Sequence, residues 1–239
     1  MSREKPDALW RAIRDSLSGD IAAGRYGPGD KLPTEAALAG RFGVNRHTVR
    51  RALAALAEAG AIFTRRGAGA FVAHRPTEYP IGRRVRFHQN LQAAGRLPTK
   101  EILALETRSA DAAEAEALKL VPGAMVHVCD GVSLADGVPV AVFRSTFPAE
   151  RFPGLPEALR RLRSVTAALA EQGVADFTRA STRLNAKLAS PMQAVHLNLS
   201  PGAPILRTLA VNVDPEGQAI EYGRTWFAGD RITLTLAEA

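Results

Sequence analysis

One cysteine, Cys129, occurs in 239 residues. A lone thiol cannot close an internal disulfide, which fits a reducing, cytoplasmic setting. No His/Cys cluster at ligand spacing is present, so a structural zinc site is not expected. No apolar run approaches the roughly eighteen residues a membrane span needs. The opening MSREKPD has no apolar signal core, so export is not expected. A Ser-His-Asp order, a metal cluster and a phosphate loop are all missing, and no cofactor is expected.

What is present is an uneven charge. Residues 1–75 hold 13 Lys and Arg against 7 Asp and Glu, while residues 76–239 hold 18 against 17. Almost all of the net +7 therefore belongs to the first third. A basic module beside a near-neutral one points to a polyanion-binding head on a body with another task. The length suits two domains, read as 1–75, a short Pro-rich linker over 76–84 (beginning PTEYP), and 85–239.

Within the head, Trp10, Ile13, Leu17 and Ile21 make one apolar stripe, giving a helix over Asp7 to Ala23 closed by Gly24. The segment from Leu32 to Val72 then reads as two short helices, a glycine turn and two short strands. Thr34 caps the first of these helices and Asn45 the second, with Gly43 in the turn. In the second helix Val49, Leu53 and Leu56 face the core. Arg46, His47, Thr48, Arg50 and Arg51 lie on the outer side. Gly67 and Gly69 permit a tight tip in the strand pair, and His74 reads as a surface residue at the domain edge. This layout is a winged helix-turn-helix, whose partner is duplex DNA. Arg46 and Arg50 are expected closest to DNA, since an arginine can fork onto a guanine edge. His47 and Thr48 are expected at bases or phosphates, and Arg66 and Gly67 at the minor groove.

The segment resembles the DNA-binding domain of the GntR family of bacterial regulators. The match runs through Leu32-Pro33-Thr34-Glu35, Val44-Asn45-Arg46-His47-Thr48-Val49-Arg50 and Gly67-Ala68-Gly69-Ala70-Phe71-Val72. The resemblance adds Thr34, Glu35, Arg41, Asn45 and Gly69 to the DNA-facing set. Ala36 stands where many members carry a basic residue, a contact that is either absent here or supplied by Arg41.

The body repeats itself. RFHQNLQAAG (86–95) aligns with SVTAALAEQG (164–173), and ADAAEAEALKLVPGA (110–124) with ASPMQAVHLNLSPGA (189–203). GVPVAVFRSTF (137–147) aligns with GQAIEYGRTWF (217–227). Each half reads as helix, strand, helix, strand, strand. The expected fold class is therefore α+β, with four helices and a six-stranded antiparallel sheet. Arg144 and Arg224 occupy matching positions and are expected to converge on one cleft. Arg86 at a helix start joins them, with His88 and Glu221 nearby, as a binding site for a small anion. Phe143, Trp226 and Phe227 are expected in the core.

This region resembles the UTRA effector domain of the HutC branch, which has a chorismate-lyase-like fold. VRFHQNLQAAGRLPT and VPVAVFRSTFPAERFPGLPEAL are most similar to the branch's PhnF-type regulators of phosphonate utilisation. The resemblance implies a homodimer on a palindromic operator, with DNA binding modulated by a phosphonate or related metabolite. Cys129 and Gly131 stand where sugar-phosphate-sensing relatives carry arginines, which argues against an amino-sugar phosphate. Three other readings are a carboxylate or sugar-phosphate sensor, a lyase-like enzyme, and an architectural nucleic-acid protein.

Overall fold

The structure, a computed structural model, describes residues 5–65, 67–73 and 76–236. The chain divides into two compact units, Met1–Arg75 and Pro76–Ala239. Among the described residues no helix is long and apolar enough to cross a membrane.

The first unit holds α1 (Lys5–Ala22), α2 (Glu35–Phe42) and α3 (Arg46–Glu58), then β1 (Ile62–Arg65) and β2 (Gly69–Val72). Ile13 and Leu17 of α1 meet Leu38 of α2 and Val49, Ala52, Leu53 and Leu56 of α3, with Ile62 and Val72 closing the core. The three- and four-residue spacings put these side chains on one face of each helix. Thr34 Oγ1 accepts from the Ala37 N–H at 3.2 Å, and Asn45 Oδ1 from the Thr48 N–H at 2.9 Å. Gly43, at φ 65°, supplies the left-handed step between α2 and α3. β1 and β2 pair antiparallel, and Lys31 bridges to Phe71, so the loop before α2 adds a rung to the wing.

In the second unit come β3 (Thr77–Pro80), α4 (Phe87–Ala93), β4 (Pro98–Ser109), α5 (Ala112–Leu118), β5 (Met125–Ala135) and β6 (Val138–Pro148). Then follow α6 (Leu155–Leu162), α7 (Val165–Glu171), β7 (Thr178–Leu188), α8 (Pro191–His196), β8 (Pro204–Val213), β9 (Ala219–Ala228) and β10 (Ile232–Thr235). Six strands form one antiparallel sheet in the order β4-β5-β6-β9-β8-β7.

The repeat is visible in the local chemistry. α5 and α8 each begin with a capping box, Asp111/Glu114 and Ser190/Gln193. Each is followed by a residue at positive φ, Lys119 and Asn198, and then by Pro-Gly-Ala. β6 and β9 meet at the centre, with Arg144 directly opposite Arg224. The strand order is symmetric about that pair, as a repeat of two halves requires. Asp136 and Gly137, at φ 50° and 76°, make the two-residue turn between β5 and β6.

Two features depart from the sequence reading. The expected linker 76–84 contains β3, which pairs in parallel with β10. Tyr79 and Ile81 are buried there with Leu91, Val140 and Phe227. The segment alternates buried and exposed side chains, so it is a strand of the second unit and not a spacer. α6 is a fifth helix inserted between the halves, and Leu155, Ala158 and Leu159 bury against Phe147 and Leu169.

Candidate functional site

The outer face of α3 presents Arg46, His47 and Arg50 to solvent, beside the exposed cap Asn45 and the half-buried Thr48. Thr48 is tied back to the cap, its hydroxyl donating to Asn45 Oδ1 at 3.0 Å. Arg50 is oriented: its Nε and Nη2 donate to Glu35 Oε1 and Oε2 at 3.1 and 2.8 Å. That bond, with the nearby charges of Arg50, Arg46 and His47, outweighs partial burial and lowers the Glu35 carboxyl. A bidentate Arg–carboxylate fork has defined geometry, so the remaining N–H edge of Arg50 is aimed. Arg51 lies with its guanidinium 4.7 Å from the Trp10 ring centre.

Arg41 is placed differently from the expectation. Its guanidinium donates to Asp20 Oδ2 at 2.8 Å and lies over the Phe42 ring, binding α2 to α1. Gly67 and Gly69 have φ of 75° and 109°, and a Cβ on Gly69 would come within 3.1 Å of Lys31 Cε. Arg66 and His74 lie outside the described residues.

In the second unit, the sheet face under α4 and the start of α7 lines a partly open cavity of about 90 Å³. Its polar lining includes His88, Lys100, Ser145, Arg179, Asn212 and Glu221, and Phe87, Phe143, Phe177 and Phe227 form apolar walls. Of the expected ligand set, His88 and Glu221 are here. Arg86, Arg144 and Arg224 are not.

Strand alternation explains two of these corrections. Phe143 and Ser145 face the cavity, so Arg144 between them faces the other side of the sheet. There its Nε and Nη2 fork onto Asp130 at 2.7 Å each. Arg224, its neighbour across the strands, donates to Glu114 of α5 at 2.5 Å. Arg86 is buried, but its guanidinium donates to the Phe177 carbonyl at 2.6 Å and stacks on the Phe177 ring. All three arginines are structural ties. Conversely, Phe143 and Phe227, expected only in the core, also wall the cavity, while Trp226 packs with α8 on the opposite face.

The cavity holds two cations absent from the sequence reading, Lys100 of β4 and Arg179 of β7. The Lys100 ammonium lies 4.4 Å from the Phe143 ring centre and 5.3 Å from that of Phe87. Among the described residues it has no hydrogen-bond or ion-pair partner. Burial lowers its pKa, with Glu221 and Cys129 acting the other way. Arg179 Nε donates to Asn212 Oδ1 at 3.2 Å, and burial lowers its pKa too. Glu221 is 7% exposed and accepts from Ser145 Oγ and Asn212 Nδ2, both at 2.6 Å. Burial and the charge of Lys100 lower His88, so its ring is neutral near pH 7. Gly131 lies against the Phe143 wall: a Cβ there would come within 2.5 Å of Phe143 Cζ. The Phe143 ring occupies the space a side chain at 131 would need. A second hollow, about 730 Å³, lies by Leu118 and Met125, but its Arg151 is already committed to Asp214 at 2.5 Å.

Phase within β6 was the available signal for the error over Arg144. Phe143 and Phe147 mark the covered face, and the residue between Phe143 and Ser145 must point away. Lys100 and Arg179 carried no comparable signal, because both lie on edge strands of mixed polarity.

Comparison with known proteins follows the same division. Residues 9–72 match the family described as bacterial regulatory proteins, gntR family, and residues 93–233 match the UTRA domain. The chain is 41% identical over 237 residues to the uncharacterized HTH-type transcriptional regulator RB1450 of Rhizobium meliloti, covering 99% of this chain and 97% of that one. It is 32% identical over 207 residues to the HTH-type transcriptional repressor PhnF of Mycolicibacterium smegmatis, covering 87% and 84%. The crystal structure of PhnF from Mycobacterium smegmatis superposes with a TM-score of 0.65 at 28% identity, over 95% of this chain and 99% of that one. With a winged head whose basic helix face is open and a UTRA body, the chain belongs to the GntR family of bacterial transcriptional regulators, and it is not an enzyme.

Proposed function

We propose that the protein is a repressor that binds a palindromic operator as a homodimer and whose DNA affinity is set by a small anion. Phosphonates and phosphate esters are the favoured class, and phosphonate-utilisation genes the favoured targets. The relatives named PhnF support that choice. The observation that carries the effector reading is the Lys100 ammonium, without a hydrogen-bond or ion-pair partner among the described residues, in a cavity that Arg179 also lines. Lys100 is half-buried, and a cation drawn out of water without a partner is costly unless an anion fills the site. A water needs roughly 10–15 Å³ of such space, so the cavity takes a ligand of a handful of non-hydrogen atoms.

On the DNA side, Arg46, His47, Thr48 and Arg50 enter the major groove. The N-termini of α2 and α3, at Thr34, Glu35 and Asn45, offer free amides to phosphates. Gly67 and Gly69 bring the wing backbone close to the minor groove.

Operator selection followed by anisotropy titration tests both parts. Methylphosphonate, phosphate and small carboxylates serve as candidate effectors. Lys100→Met is expected to abolish the effector response and keep operator affinity within about threefold. A normal response in that variant sinks the cavity as the effector site. Selection that returns no palindrome sinks the operator reading.

A further inference from the structure

We infer that the effector is a small zwitterion, its anionic group held by the Lys100 ammonium and its ammonium group held by the carboxylate of Glu221, in a cavity that Arg179 also lines. This rests on the cavity being the effector site and narrows what it accepts.

Three observations lead there. First, the cavity is not uniformly cationic. Glu221 is a buried carboxylate in the lining, and among the described residues no ion pair joins it to Lys100 or Arg179. Charges of both signs thus line one small space without touching, an arrangement that a ligand with two charged ends would complete.

Second, hydrogen-bond polarity differs across the space. The hydroxyl and amide groups that touch Glu221 already donate to it. The single Ser145 hydroxyl proton is spent on Oε1, and Asn212 spends one N–H on Oε2. A carboxylate has about four acceptor sites, so two remain free. A phosphonate or carboxylate oxygen placed there meets lone pairs and negative charge. An ammonium supplies the missing donors.

Third, charge and size agree. Two cations, one carboxylate and a neutral His88 leave one net positive charge. An amino-bearing phosphonate carries about one net negative charge near neutral pH. A polyanion overshoots it. The volume of about 90 Å³ suits a ligand with two or three carbons between its ends.

The competing account makes Glu221 a counter-charge that holds Arg179 through Asn212, with no part in selection. Calorimetric titration of the full-length protein separates the two. The probes are ethylphosphonate, 2-hydroxyethylphosphonate and 2-aminoethylphosphonate, with propionate and 3-aminopropionate as a carboxylate pair. The inference expects the amino member of each series to bind at least about tenfold more tightly than its alkyl and hydroxyl counterparts. Glu221→Gln should bring the amino compound to within about threefold of the alkyl one. The comparison on the unaltered protein stands alone if that variant does not fold. Equal affinity of ethylphosphonate and 2-aminoethylphosphonate overturns the inference and leaves the anion site intact. If no probe binds, the reading of the cavity falls and the inference with it. A preference for the amino compounds that survives in folded Glu221→Gln overturns the role of Glu221.

Discussion

Glu35 is a carboxylate on a surface otherwise suited to a polyanion. It neighbours Arg46, His47 and Arg50, and its own charge repels phosphate. What it gives in return is direction. By taking Nε and Nη2 of Arg50, it leaves the outer edge of the guanidinium to fork onto one guanine. Glu35→Gln should therefore raise affinity for random duplex and lower the preference for operator. A loss of about tenfold in the specific-to-random ratio is expected, within the 1–3 kcal/mol of one bidentate base contact. Competition binding at fixed salt reads both numbers, and an unchanged ratio removes the orienting role. At this scale the sequence was legible where chemistry is local. Thr34 and Asn45 cap their helices as the spacing required, and Arg46 and Arg50 are exposed. It was illegible where a side chain's partner lies far along the chain. Arg86 is consumed by Phe177, and Arg224 by Glu114, across separations that no local pattern records.

Elements are joined by buried ties of that kind. Glu114 sits in the first turn of α5 with a fully buried side chain, taking Arg108 in a fork at 2.7 and 3.0 Å. The Asp111 N–H, Thr146 and Arg224 also donate to it. Burial alone would raise this carboxyl, but those donors outweigh it and hold it at about 2. A carboxyl lowered on folding stabilises fully above its ordinary value of 4.5, and the contribution is lost as pH falls towards about 2. The effect is on the order of 3 kcal/mol at most. Urea unfolding of the full chain should show stability falling between pH 5 and pH 3. Glu114→Gln should be less stable at pH 7 and lose less on acidification. A parallel fall in both proteins would remove Glu114 as a source. The pairing of β3 with β10 shows the other side of legibility. Its strands lie near opposite ends of the unit, and TEYP reads locally as a stiff spacer. The hairpin at Asp136-Gly137 is contiguous and was readable at once.

Across the whole molecule, charge is segregated by unit, and that segregation separates two kinds of anion binding. The head carries almost the entire excess of Lys and Arg, and its exposed face is the one that would neutralise operator phosphates. Each phosphate contact contributes a slope of about −0.9 to log affinity against log salt, because condensed counterions leave the duplex. The proposed effector would meet only the few charges of a cavity lined by Lys100, Arg179 and Glu221, where no counterion cloud is released and screening is weaker than on the open surface. Operator affinity should therefore fall by at least about a hundredfold between 50 and 200 mM salt. Effector affinity should fall by no more than about threefold over the same range. Anisotropy for the operator and calorimetry for the effector, in matched buffers, give both slopes. A steep slope for the effector would place its binding on the exposed basic face of α3 and empty the cavity of its role.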